Sequence, residues 1–364
     1  MQSENEELNP RKSQILLSAV EDYIQQASPI TSSNIQHKCS LELSTATLRN
    51  ELNALEAMGY LKQLHTSGGR VPTSKGYRYF VNSMIKDVPL DKQVLADIQG
   101  LFDERTVYLG DMINDIANIV SKATNYPTVV MLKGFEKLII KNLKIIPLMT
   151  GQALILIETT SGVINNSMPI SAETPMQTYI DASNFLTKTF EGQTVSSMIK
   201  NMNTFKGNMS QEIMEYKSIF ESLIGSLSKI VDEIGEHKFS AKGQLRLLDV
   251  PEYSDLNKAK PIIEAISNRK EIEEIFTEDL DSDVSFKIGA EIPVKNLQDC
   301  AIARADYSVG DETTASIGII GPQRMDYAKI ASALKFVVGE FNNLKMLSNA
   351  QQNSQKGDND EQKE

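Results

Sequence analysis

The sequence predicts an α+β protein of several domains, with an N-terminal winged helix-turn-helix ahead of a mixed α/β body. Three observations predict it. Residues 31–80 read in order as short helix, tight turn, second helix, hairpin and departing helix. Strand-sized apolar runs lie between residues 128 and 168 and return between 284 and 320, with a helical block between them. The 364 residues are enough for two or three domains with their own cores. No apolar run approaches the ~18 residues a membrane span needs.

Asn9-Pro10 opens the first helix, with asparagine at the N-cap and proline at the first helical position. Ile15, Leu16, Ala19, Val20, Tyr23 and Ile24 make its apolar stripe, and Ser28-Pro29 ends it. Thr31 caps a short second helix to about Lys38, with Ile35 facing inward, and a turn follows from Cys39 to Leu43. Ser44 caps the third helix, Thr45 to about Met58. Leu48, Leu52 and Leu55 share one helical face and must turn toward the first two helices. The opposite face carries Ala46, Arg49, Asn50 and Asn53, and the first turn adds Ser44, Thr45 and Thr47. Short polar side chains with an arginine near the helix N-terminus are what a helix entering a DNA major groove needs. An ordinary amphipathic helix with a solvated face fits the same pattern.

Gly59 stops this helix, and a hairpin follows directly: strand Tyr60–Leu64, tip His65–Gly69, return strand Arg70–Pro72. A hairpin in that place is a wing, and Lys62, His65, Thr66, Ser67 and Arg70 are its candidates for phosphate or minor-groove contact. Gly68-Gly69 suits a tip that needs positive φ. Thr73 caps the next helix, Ser74 to about Lys86. The net charge of −11 has the wrong sign for a DNA reader, but between Leu8 and Lys86 nine bases face five acids, a local excess of four positive charges. A locally basic head on an acidic body satisfies the need for local positive potential.

Residues 87–99 read as a connector broken at Pro89, and Leu101–Ala123 as a long helix with Leu101, Leu109, Ile113, Ile116 and Val120 on its apolar side. Strands follow at Thr128–Leu132, Leu138–Pro147, Gln152–Thr159 and Val163–Met168. Helices follow at Pro175–Phe190 and Val195–Phe205. Met209–His237 is then a helix of about 29 residues, or about 43 Å. Its stripe, with Phe220, Leu223 and Leu227, suits an internal core or a subunit interface. Gly243–Val250 reads as a strand and Asn257–Leu280 as two short helices. Strands return at Val284–Ile288, Cys300–Tyr307 and Thr314–Ile320, before a final helix from Met325. The turn after Gly318 and Gly321, containing Arg324, Asp326 and Tyr327, is either a tight strand-to-helix turn or a subunit or regulatory contact. Residues 349–364 are polar, without apolar periodicity, and read as disordered.

The sequence holds no phosphate-loop, dinucleotide, zinc-protease, CxxC or nucleophile-elbow motif, so no catalytic or metal-binding residue is assigned and no cofactor is expected. Asp279, Asp281 and Asp283 alternate as a calcium loop begins, but the required glycine and terminal glutamate are missing. Cys39 and Cys300 read as reduced core cysteines, and the polar, acidic N-terminus is no signal peptide, which together suggest the cytoplasm.

Three segments carry a family resemblance: LNPRKSQILLSAVEDYI, LSTATLRNELNALEAMGYLKQLHTSGGRVPTSKGYRYFV, and SIGIIGPQRMDYAKI near the C-terminus. Their motifs and spacing resemble the HrcA family of heat-inducible transcription repressors, although Gly68 stands where that family usually has alanine. The resemblance implies a winged-helix domain over residues 1–87 and a GAF-like α/β domain in two parts, 88–169 and 282–348. Residues 170–281 would then be an inserted, mostly helical dimerisation domain. It implies a homodimer on double-stranded DNA, at a CIRCE-type inverted repeat controlling chaperone genes. Activity would depend on the GroEL chaperonin and be lost on heat stress. A winged-helix regulator whose GAF-like domain senses a small molecule is the alternative.

Overall fold

The computed structural model describes residues 8–38, 43–64, 69–84, 88–102, 109–134, 137–149, 151–160, 162–171, 174–205, 219, 222, 239–277, 280, 282–308, 313–340 and 342. The head contains α1 (Pro10–Gln26), α2 (Ser32–Gln36), α3 (Thr45–Ala57), β1 (Leu61–Gln63), β2 (Arg70–Pro72) and α4 (Ser74–Met84). The first three helices start at the side chains expected to cap them. Asn9 accepts from the Lys12 amide at 2.9 Å, Thr31 from Asn34 at 3.2 Å and Ser44 from Thr47 at 3.1 Å. Ile15, Leu16, Ala19, Val20, Ile35, Leu48, Leu52 and Leu55 are fully buried, so the three helices close around one core.

The hairpin is tied to the chain after α1. Ile30 and Arg70 exchange backbone hydrogen bonds of 2.7 and 2.9 Å, adding a third edge to the wing. Gly69 serves this junction through close approach and not through positive φ. A Cβ there would lie 2.7 Å from the Pro29 Cβ and 2.9 Å from the Ile30 carbonyl oxygen.

Behind the head come α5 (Lys92–Phe102) and α6 (Leu109–Thr124). The expected connector therefore includes a helix, which starts where Asp91 accepts from the Gln93 amide at 2.8 Å. The body is built on a five-stranded antiparallel sheet in the order β7-β3-β10-β9-β8, with β3 at Thr128–Lys133, β7 at Phe239–Lys242, β8 at Ser285–Ile288, β9 at Cys300–Ser308 and β10 at Thr314–Pro322. On one face Val130, Leu132, Ala303, Ala305, Ile317 and Ile319 share a core with α6 and with the last helix, residues 327–340. On the other, Val129, Met131, Ile302 and Ile320 share a core with two helices, Leu256–Ser267 and Arg269–Ile275. Covered on both faces, the sheet forms the middle layer of an α/β/α sandwich, which is why its strands read as near-continuous apolar runs. Burial pushes the Cys300 thiol on β9 up to about 12, which keeps it protonated near neutral pH.

Between β3 and β7 the chain leaves this sheet. There β4 (Ile140–Pro147), β5 (Gln152–Thr159) and β6 (Gly162–Pro169) form a separate three-stranded antiparallel sheet. Helix α7 (Met176–Phe190) packs along β4, where Ser183 and Thr187 hydroxyls accept the Ile145 and Leu143 amides at 2.9 and 3.0 Å. Helix α8 (Val195–Phe205) follows. This pairing differs from the split expected at residue 170. The described part of the excursion runs from the end of β3 through α8, whereas β7 and the two helices after it belong to the body. Gly243–Val250, expected as a strand, is a 3₁₀ helix over Gln244–Asp249. Gly243 turns the chain there with φ 74°, against Ser121, and ends β7. Of the long helix expected over Met209–His237, only residues 219 and 222 are described, both helical. Phe220, Leu223 and Leu227 lie outside the described residues, as do Asp279, Asp281 and the tail.

Candidate nucleic-acid interface

The apolar face of α3 fixes what its other face presents. With Leu48, Leu52 and Leu55 committed to the core, Thr45, Ala46, Arg49, Asn50 and Asn53 are exposed, and Thr47 is half-buried. Ser44 is exposed, and its hydroxyl lies 2.9 Å from that of Thr47 while also capping the helix, so both hydroxyls have a structural duty. Arg49 has no carboxylate within ion-pair distance among the described residues. Lys62 is exposed on β1. His65 and Thr66 lie outside the described residues.

Arg70 is placed differently from expectation. Its guanidinium turns back from the wing onto α3: Nε donates to Glu56 Oε2 at 2.8 Å and Nη2 to Asn53 Oδ1. Only 12% of its side chain is exposed. Its charge is compensated inside the domain, and the pair locks the wing to the third helix. Arg70→Ala is therefore expected to weaken DNA binding without flattening its salt dependence, whereas Lys62→Ala should reduce the salt slope by about 1. Titration of affinity against salt for both variants checks this; a flattened slope for Arg70→Ala would restore a direct phosphate contact.

A second brace was not legible in the sequence. Glu51 on α3 pairs with Lys12 at 3.1 Å and Arg11 at 3.7 Å, both on α1. It places the half-exposed cation Arg11 beside α3. No local spacing connects residues 11 and 51; the packing of the two helices does.

The candidates around the turn after β10 are held within the chain. Asp326 accepts from the Lys329 amide at 3.0 Å and caps the last helix. Arg324 pairs with Glu252, with Nη2 to Oε2 at 3.0 Å. Tyr327 is buried, its hydroxyl donating to the Gln323 carbonyl at 2.5 Å. A side chain so enclosed offers no surface to another subunit, so the subunit-contact expectation fails for Tyr327.

A short helix-turn-helix with a braced wing and a solvent-facing helix of small polar residues and one arginine, unpaired among the described residues, is the build of a winged-helix DNA-binding protein. Comparison with known proteins agrees over nearly the whole chain. Residues 7–86 match the model for the winged helix-turn-helix transcription repressor, HrcA DNA-binding, and residues 110–331 match the model for the HrcA protein C terminal domain. The chain is similar to the heat-inducible transcription repressor HrcA of Symbiobacterium thermophilum, 29% identical over 93% of this chain and 99% of that one. Its similarity to the same repressor of Clostridium perfringens is 31% identity over 92% of this chain and 98% of that one. A crystal structure described as a hypothetical protein at 2.2 Å resolution shares the fold, with TM-score 0.71 and 22% identity over 94% of this chain and 100% of that one. The chain belongs to the HrcA family of heat-inducible transcription repressors, and its head is that family's DNA-binding domain. Among the described residues no helix is long and apolar enough to cross a membrane.

Proposed function

We propose that the chain represses transcription as a homodimer, each head reading one half of a CIRCE-type inverted repeat upstream of chaperone genes. A two-fold protein is matched to a two-fold operator. The observation that carries this reading is the exposed edge Thr45, Arg49 and Asn50, which offers one head a single arginine for base contact. With a local excess of only four positive charges, one head has little capacity for tight, specific binding, and pairing supplies the rest. Ser44, Thr47, Asn53 and Lys62, with His65 and Thr66 from the wing tip, complete the DNA-facing set. The α/β/α body is GAF-like. The excursion between β3 and β7 is the dimerisation module, with Phe220, Leu223 and Leu227 in its seam. The GroEL chaperonin maintains the DNA-binding form in the cytoplasm. Heat diverts the chaperonin to other clients and the repressor leaves its operator. A gel-shift and light-scattering series on inverted-repeat, half-site and scrambled duplexes tests the core of this: two copies per inverted repeat are expected. One copy per duplex, with equal affinity for half-site and repeat, would overturn it.

One feature favours an effector-sensing reading as the second choice. A cavity of about 720 Å³ lies between α4 and the body, lined by Arg78, Phe286, Lys287, Ile302, Arg304 and Lys335 among others. A metabolite that raises the melting temperature and shifts DNA affinity in a thermal-shift screen would select this reading over the chaperonin.

A further inference from the structure

We infer that the turn Gly321–Tyr327 and the neighbouring Glu291 form a seat that sets the orientation of the head on the body, making Arg78 and Glu291 positioning residues for operator reading. This rests on the reading of two paired heads. Three kinds of contact cross the same junction. Arg78 on α4 donates Nε to Glu291 Oε1 at 2.8 Å and Nη2 to the Phe286 carbonyl at 2.6 Å. Glu291 is itself held on the body, because Oε2 accepts from the Ile288 amide at 2.8 Å. Ser74, in the first turn of α4, donates to Gln323 Oε1 at 2.9 Å. Gln323 is held in turn by Nε2 donating to the Gln298 carbonyl at 3.2 Å. Tyr77 packs 6.4 Å from the Tyr327 ring, which meets Phe286 edge-on at 5.4 Å.

The fit leaves no room for slack. Gly289 has φ 61°, and a Cβ there would lie 2.2 Å from Ser74 Oγ, so body backbone meets the start of α4 directly. From this seat a continuous set of contacts reaches the reading helix. Tyr79, beside Arg78, donates to Ser13 on α1 at 2.8 Å. Lys12, beside Ser13, pairs with Glu51 on α3 at 3.1 Å. An orientation set at Glu291 is thus transmitted through two helices to Arg49. Heads on such mounts read half-sites at one spacing, while heads on loose tethers accept several.

The test uses the full-length chain with Arg78→Gln, Glu291→Gln and both together. Small-angle scattering reads head placement without DNA. Fluorescence anisotropy reads affinity for a half-site, an inverted repeat, and a repeat whose spacer is lengthened by about half a turn, ~5 base pairs. Each single substitution is expected to broaden the distance distribution and leave half-site affinity within about twofold. Affinity for the repeat should fall on the order of tenfold, with the spacing preference lost. The double substitution should be no worse than Arg78→Gln alone, because either single substitution already removes the Arg78–Glu291 pair. Unchanged scattering in all three variants overturns the seat. Half-site affinity falling as far as repeat affinity also overturns it, because that marks a lost DNA contact or a lost fold. Broadened scattering in the variants, with a wild type indifferent to repeat and spacing, supports the seat and refutes the inverted-repeat reading.

Discussion

Arg49→Ala is expected to weaken binding to the matched operator by ~1–3 kcal/mol, from about fivefold to more than a hundredfold, while scarcely changing binding to scrambled DNA. The expectation comes from contrast with the other arginines. Arg70, Arg78 and Arg324 are each held by a carboxylate of this chain, as is the buried Arg304 by Asp306. Arg49 is exposed at the second turn of α3, on the flank of the buried stripe formed by Leu48, Leu52 and Leu55. Its guanidinium can therefore present two donors to a guanine edge without first breaking an internal pair. Competition gel shifts with matched and scrambled duplexes check it. Equal loss on both DNAs would reduce Arg49 to a phosphate contact.

Leu52→Ala should weaken DNA binding by a different route, through the stability of the head. Leu52 is fully buried at the centre of the three-helix core. Truncating such a side chain costs ~2–5 kcal/mol in transfer and cavity terms. A small domain has only ~5–15 kcal/mol of stability to lose, so its melting temperature should fall by about 10–40 °C. Calorimetry should show a head transition displaced to lower temperature, with affinity for matched and scrambled DNA falling together near that temperature. An unmoved transition would mean that the three leucines do not carry the head's core. The two variants thus separate reading from folding on one helix.

How far the sequence disclosed these things depended on the range of the interaction. Asn9, Thr31 and Ser44 are caps, and a cap is satisfied by an amide only three residues away. The leucine spacing of α3 is equally local. Asp91 offered the same kind of signal for α5, which the nearby Pro89 obscured. The failures sit where the partner is distant. Arg70 read as a wing-tip cation because Glu56 and Asn53 reach it only after the hairpin folds back. The split at residue 170 followed the change from strand to helix periodicity there, which cannot show that β3 pairs with β10 across some 180 residues and with β7 on its other edge. Strand pairing is set by register and coverage, and an apolar run does not name its neighbour.

The turn Gly321–Tyr327 shows the division most clearly. Its residues stood out in the sequence, without a role that periodicity or spacing could assign. The sequence by itself determined a helix-turn-helix with a wing, which face of α3 is free, and a family. Those follow from hydrophobic period, capping and motif spacing, all read along the chain. Only the tertiary structure decided which arginines remain available and what Tyr327 meets. Both depend on ion pairs, hydrogen bonds and ring contacts between residues up to 250 positions apart, such as Tyr77 with Tyr327 and Ser74 with Gln323. Charge compensation and close packing are properties of neighbours in space, and those neighbours exist only once head and body have folded together.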